Sequence, residues 1–165
     1  MSELNQNITR FFNTVSEQVK EMFMKHGQLS EAMFYMLIGE KAIQVPFPII
    51  GDKNQISQLL KAASDHLKPS AIVFASECWI VEEKHDDAMT ESDLAKKYAG
   101  VSIEHQPGRT ECLMFVNETK LASFSVTIPI IRNEKGEASL GAAQNVTNTT
   151  GRFSNLLYDY GRAHN

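Results

Sequence analysis

A chain of 165 residues, 42% hydrophobic and 22% charged with a net charge of -4, has the make-up of one ordinary globular domain. At this size a domain buries about 70% of the surface its unfolded chain exposes, so the core requires neither a metal nor a disulfide. The basic residues are scattered, the longest run being Lys96-Lys97, which argues against nucleic acid, whose binders carry a basic patch or stripe.

Residues 1–25 lack the apolar core of a secretory signal, and no run approaches the ~18 apolar residues of a membrane span. The expectation is a cytoplasmic protein that binds no membrane.

Ser2 or Asn5 can cap a first helix, in which Ile8, Phe11, Phe12, Val15, Val19, Met22 and Phe23 repeat at helical spacing as one apolar stripe. Lys25 and His26 suit its negative C-terminal end, and Gly27 can take the left-handed position that stops it. The stripe needs a partner surface, either the chain's own sheet or a second copy of this helix.

Ala32 to Ile38, a turn at Gly39-Glu40-Lys41 and Ala42 to Phe47 read as a hairpin. Pro46 and Pro48 point to a sheet edge there. Asp52 caps a second helix with a stripe of Ile56, Leu59, Leu60, Ala63 and Leu67. Ala71 to Val81 is apolar on both faces except at Ser76 and Glu77, which suits a central strand. With the strand before the helix it forms a crossover, right-handed if the two strands are parallel.

A long polar interval, Glu82 to Arg109, contains a short helix from a cap at residues 90–93 to about Tyr98. Thr110 to Val116 and Leu121 to Ile131 form a last hairpin. In the second strand, Ala122, Phe124, Val126, Ile128 and Ile130 alternate with Leu121, Ser123, Ser125, Thr127 and Pro129. One face is mostly apolar and one mostly polar, the pattern of a strand buried on one side and wet on the other. Ala138 to Leu140 can add a short strand. Residues 141–151 are small and polar, and Phe153, Leu156, Leu157 and Tyr160 then restore a helical stripe.

The fold expected is α+β: a mainly antiparallel sheet of about five strands, two main helices packed on one face, and a short C-terminal helix. Residues 1–141 form the domain, and 142–165 a polar tether with an amphipathic segment that packs back on the sheet, docks on another chain, or is disordered.

Among chemistry-bearing residues, Glu77 is the most conspicuous. A carboxylate in mid-strand, flanked on its own face by Ala75 and Trp79, costs several kcal/mol if buried unpaired. It is therefore a general acid/base or a pocket anchor, unless its face opens to water there or it pairs with a Lys or Arg on a neighbouring strand. Glu104-His105-Gln106-Pro107-Gly108-Arg109 closes the polar interval just before a strand. His105 could transfer a proton and Arg109 could hold an anion through paired hydrogen bonds. The ordinary alternative is a solvated turn, since Pro-Gly is turn chemistry.

His85 is followed by Asp86 and Asp87, metal-competent by type, but neighbours on an extended chain point apart. A metal site would have to be assembled from distant residues such as Glu77, His85 and His105. No metal or cofactor is expected. Cys78 and Cys112, the two cysteines, lie in apolar strands and read as buried free thiols, with a disulfide between adjacent strands as the alternative. A Cys78/His105 nucleophilic pair lacks an orienting group.

No coherent catalytic set emerges, while two strongly apolar helical stripes serve one modest sheet. The sequence therefore suggests a protein-interaction or self-associating module, contacting a second copy of itself or another protein. The alternative is a hydrolase or small-ligand-binding protein with its site between the 71–82 strand and the 83–109 loop, using Glu77, His105 and Arg109.

Overall fold

The computed structural model describes residues 2–45, 52–81, 93, 96–97, 99–100 and 105–146. The first apolar stripe folds as α1 (Glu3–His26), opened by the Ser2 hydroxyl, which accepts the Asn5 N–H. Gly27 closes it in the left-handed conformation, φ 71°, with its N–H donated to the Phe23 carbonyl at 2.6 Å. One face, Phe11, Val15, Val19 and Phe23, is buried, and Ile8, Phe12 and Met22 pack at its margins.

β1 (Met33–Ile38) and β2 (Lys41–Val45) form a hairpin with Ile38 opposite Lys41, leaving a two-residue loop. Gly39 is its first residue at φ 61°, the position where a type II′ turn takes glycine. Asp52 caps α2 (Lys53–Leu67), its carboxylate accepting the N–H groups of Asn54 and Gln55. Lys68 ends that helix with a positive φ of 49°. β3 (Ala71–Val81), β4 (Arg109–Thr119), β5 (Ser123–Arg132), β6 (Ala138–Leu140) and β7 (Gln144–Val146) complete the described elements.

The chain is thus α+β, with seven strands in one sheet rather than about five. The spatial order is β2-β1-β3-β4-β5, with β6 and β7 in succession along the far edge of β5. Every pairing is antiparallel. Because β1 lies between them, β2 and β3 run parallel, and α2 is the crossover connecting them. The 142–165 stretch, read from sequence as a tether, contributes β7 to the sheet. Its amphipathic segment at 153–160 lies outside the described residues, as do Pro46 and Pro48. Within 93–100 the described residues Asp93, Lys96 and Lys97 are helical.

The two helices do not share a face. Odd-numbered Met33, Tyr35, Leu37, Val73, Ala75, Leu113 and Phe115 form one core with α1. Even-numbered Phe34, Met36, Ile72, Phe74 and Val116 form a second core with Ile56 and Leu60 of α2. Neighbouring strand residues point to opposite faces, so the helices cover opposite sides of the sheet. The physical reason was visible in β1 and β3: a strand apolar on both faces needs cover on both. Leu59 and Leu67, expected in the α2 stripe, are exposed, whereas Ser64 is fully buried and back-bonds to the Leu60 carbonyl at 2.8 Å.

The reading of β5 is corrected as well. Ser125 and Thr127, expected on a wet face, are buried, and Phe124, expected in the core, is 42% exposed. Among the described residues no buried side-chain nitrogen or oxygen lacks a hydrogen-bond partner. No described helix is long and apolar enough to cross a membrane.

Candidate functional site

Three features carry chemistry. The first is a polar clamp where the C-terminal end of α1 meets the sheet. Glu77 is half-buried on the α1 face, and its Oε1 accepts the backbone N–H of Leu29 at 2.7 Å. Arg132 grips Glu111 with two parallel hydrogen bonds, Nε to Oε2 at 2.9 Å and Nη2 to Oε1 at 2.6 Å. Its Nη1 donates to the Gly27 carbonyl at 3.1 Å. The bond to Glu111 raises the Arg132 pKa above its ordinary value, and the charges of Glu111 and Glu77 add to this. Two strand carboxylates and one guanidinium thus fix the residues that leave α1.

Glu77 is therefore a carboxylate with a structural partner, and that hydrogen-bond partner is a backbone N–H rather than the Lys or Arg of a neighbouring strand considered from sequence. The Arg109 guanidinium lies 5.1 Å from the centre of the Trp79 ring, within cation–π range, and its Nη1 donates to the Gln106 carbonyl at 3.4 Å. Glu77 stands opposite Leu113 and Arg109 opposite Val81. Four residues, roughly 13 Å of strand, separate their backbone positions, with Trp79 between them on the same face. His105 is exposed, just ahead of β4. The structure thus ties Glu77 to the α1 terminus and Arg109 to Trp79. His85 lies outside the described residues. Among the described residues, no three His, Cys, Asp or Glu side chains gather as a metal site.

The second feature lies at the other end of α1. Its first turns lean over the β4–β5 connection and leave an apolar groove of about 580 Å³ lined by Leu4, Ile8, Thr9, Ser70 and Leu121. Leu121 is 88% exposed and Leu4 54% exposed. Across α1, Phe12 meets Phe124 edge to face with ring centres 5.5 Å apart. The local cause is Thr119, whose hydroxyl accepts the N–H groups of both Leu121 and Ala122. That bend takes Leu121 off the sheet. The alternation read from sequence sets Leu121 on the mostly polar face, and it is exposed, but that alternation does not show the bend that projects it.

The third feature is the cysteine pair. Register sets Cys78 directly opposite Cys112, with the sulfurs 3.4 Å apart and both thiols free. Cys112 is fully buried and Cys78 half-buried. The hydrogen bond between them lowers the Cys78 pKa against the opposing effect of burial. The same bond, burial, and the charges of Cys78 and Glu111 push the Cys112 thiol up.

No protein-family model matches the chain, and neither does any curated protein or any solved structure compared with it.

Proposed function

We propose that this chain is a protein-interaction domain whose contact is with a second copy of itself, made through the apolar surface where α1 leans over the β4–β5 connection. The observation that carries this reading is Leu121, a leucine 88% exposed on the rim of a groove lined by Leu4 and Ile8. Contiguous apolar surface framed by polar groups marks interaction sites. Here a projecting side chain and a recess belong to one patch. That is the self-complementarity a two-fold contact requires, because the same residues must serve both partners. Lys68 and Lys120 border the groove, giving the apolar centre and polar rim usual in interfaces.

The test is the oligomeric state of the purified chain at micromolar concentration, by native mass spectrometry and sedimentation. The wild type is expected to be dimeric, and Leu121→Asp monomeric with unchanged circular dichroism. A wild type that stays monomeric, or a Leu121→Asp variant that stays dimeric, overturns the reading. Hydrolysis or ligand binding between β3 and the 83–109 loop has weaker support, because Glu77 is engaged by Leu29 and Arg109 by Trp79.

A further inference from the structure

From their facing positions and unequal exposure, we infer that Cys78 and Cys112 form a reversible dithiol–disulfide couple, oxidised by small-molecule disulfides, that covalently ties β3 to β4. The pair lies on the α2 side of the sheet, outside the cluster around Ile56 and Leu60. Its sulfurs face each other across adjacent antiparallel strands at 3.4 Å. Closing by about 1.4 Å would bring them to the disulfide bond length of ~2.05 Å. Facing cross-strand residues hold their Cβ atoms about 4.5–5.5 Å apart against about 3.5–4.5 Å in a disulfide, so side-chain rotation together with a small approach of the two strands makes the closure.

The two thiols divide the work by access. Cys78 is half-buried and can meet a reagent, whereas Cys112 is fully buried and can meet only Cys78. Reactivity follows thiolate character and exposure, and both favour Cys78 as the attacking sulfur. With oxidised glutathione as oxidant, the Cys78 thiolate attacks one sulfur of the glutathione disulfide. One glutathione thiolate leaves, and Cys78 carries the other half as a mixed disulfide. Cys112 then attacks the Cys78 sulfur and expels the second glutathione, whose thiolate takes up the Cys112 proton. The protein loses two electrons and two protons overall, and the glutathione disulfide becomes two thiols.

The bond would sit three pairs from the end of the β3–β4 ladder, before Trp79–Glu111, Ile80–Thr110 and Val81–Arg109. It would therefore pin the two strands where the chain departs into and returns from residues 82–108. This chemistry does not depend on self-association.

The experiment exposes the full reduced chain to oxidised glutathione, blocks remaining thiols with N-ethylmaleimide, and reads intact mass and linked peptides. The expected wild-type product has lost two hydrogens, takes up no maleimide, yields a Cys78–Cys112 linked peptide, and reverts in reduced glutathione. Cys112→Ser should instead hold one glutathionyl group on Cys78. Cys78→Ser should react about tenfold more slowly, because a buried thiol meets the reagent only on local opening. A wild type that retains the glutathionyl adduct, links two chains, or keeps both thiols until unfolded overturns the inference. The wild-type readout decides the matter even if a serine variant fails to fold.

Discussion

Glu77 and Leu29 are joined by a 2.7 Å hydrogen bond across 48 positions of sequence, and that bond orients the residues leaving α1 against the sheet. Glu77→Ala leaves the Leu29 N–H without its acceptor and should cost about 1–3 kcal/mol. Glu77→Gln keeps an oxygen in place and should cost about 1 kcal/mol or less. Urea unfolding checks this through a lowered midpoint at constant slope. Unchanged midpoints in both variants would remove the clamp from the account of stability.

Gly27 supplies a second, separable contribution at the same junction. Its φ is 71° and nothing lies within 4 Å of where a Cβ would stand, so Gly27→Ala tests conformation rather than crowding. The left-handed penalty for a residue bearing a Cβ predicts a loss of about 1–2 kcal/mol. A thermal midpoint equal to that of the wild type would contradict it.

The edge-to-face contact of Phe12 and Phe124 should be measurable in a double-mutant cycle of the two alanine substitutions. Such pairs couple by about 0.5–1.5 kcal/mol beyond their area burial. A cycle that closes to zero would mean the rings only share a neighbourhood.

The lowered Cys78 pKa has a definite sign in alkylation kinetics. A depressed pKa places thiolate at lower pH, so the midpoint of the rate-against-pH curve should fall below the ordinary thiol value of about 8.5. Cys112→Ser replaces the thiol beside it and should move that midpoint. If neither the wild type nor the variant departs from 8.5, the hydrogen bond between the sulfurs does not set the reactivity.

Once oxidised, the cysteine pair would close a loop between positions 34 apart in sequence. Chain entropy then predicts that the disulfide form resists unfolding by about 3–4 kcal/mol more than the dithiol. Equal urea midpoints for the two forms would show that strain offsets the whole gain.

Features legible in the sequence were local ones. The α1 stripe, its caps at Ser2 and Gly27, and the Asp52 cap depend on spacings within a few residues, and the structure has each of them. The placement of α2 required a further step from the two-sided apolar character of β1 and β3. Glu77 stood out because a carboxylate interrupts an apolar strand, but its partner is a backbone N–H, which leaves no mark in residue identities. The Cys78–Cys112 contact depends on the β3–β4 register across a 27-residue interval, beyond the reach of any local pattern. Leu121 projects because of hydrogen bonds to the Thr119 hydroxyl, which the alternation along β5 does not encode.

Cover on both faces leaves β1 with a consequence for alignment. In a one-sided strand, slipping by a single residue would bury the polar set, so polarity enforces the pairing. In β1 such a slip would exchange Met33, Tyr35 and Leu37 for Phe34, Met36 and Ile38, apolar for apolar. Side-chain volume and backbone anchors must carry the discrimination instead. The anchors are at hand: the two-residue turn led by Gly39, and the Leu37 carbonyl, which accepts both the N–H and the hydroxyl of Ser70. Lengthening that turn by one residue would shift how β1 sits against β2 while leaving its hydrophobicity untouched.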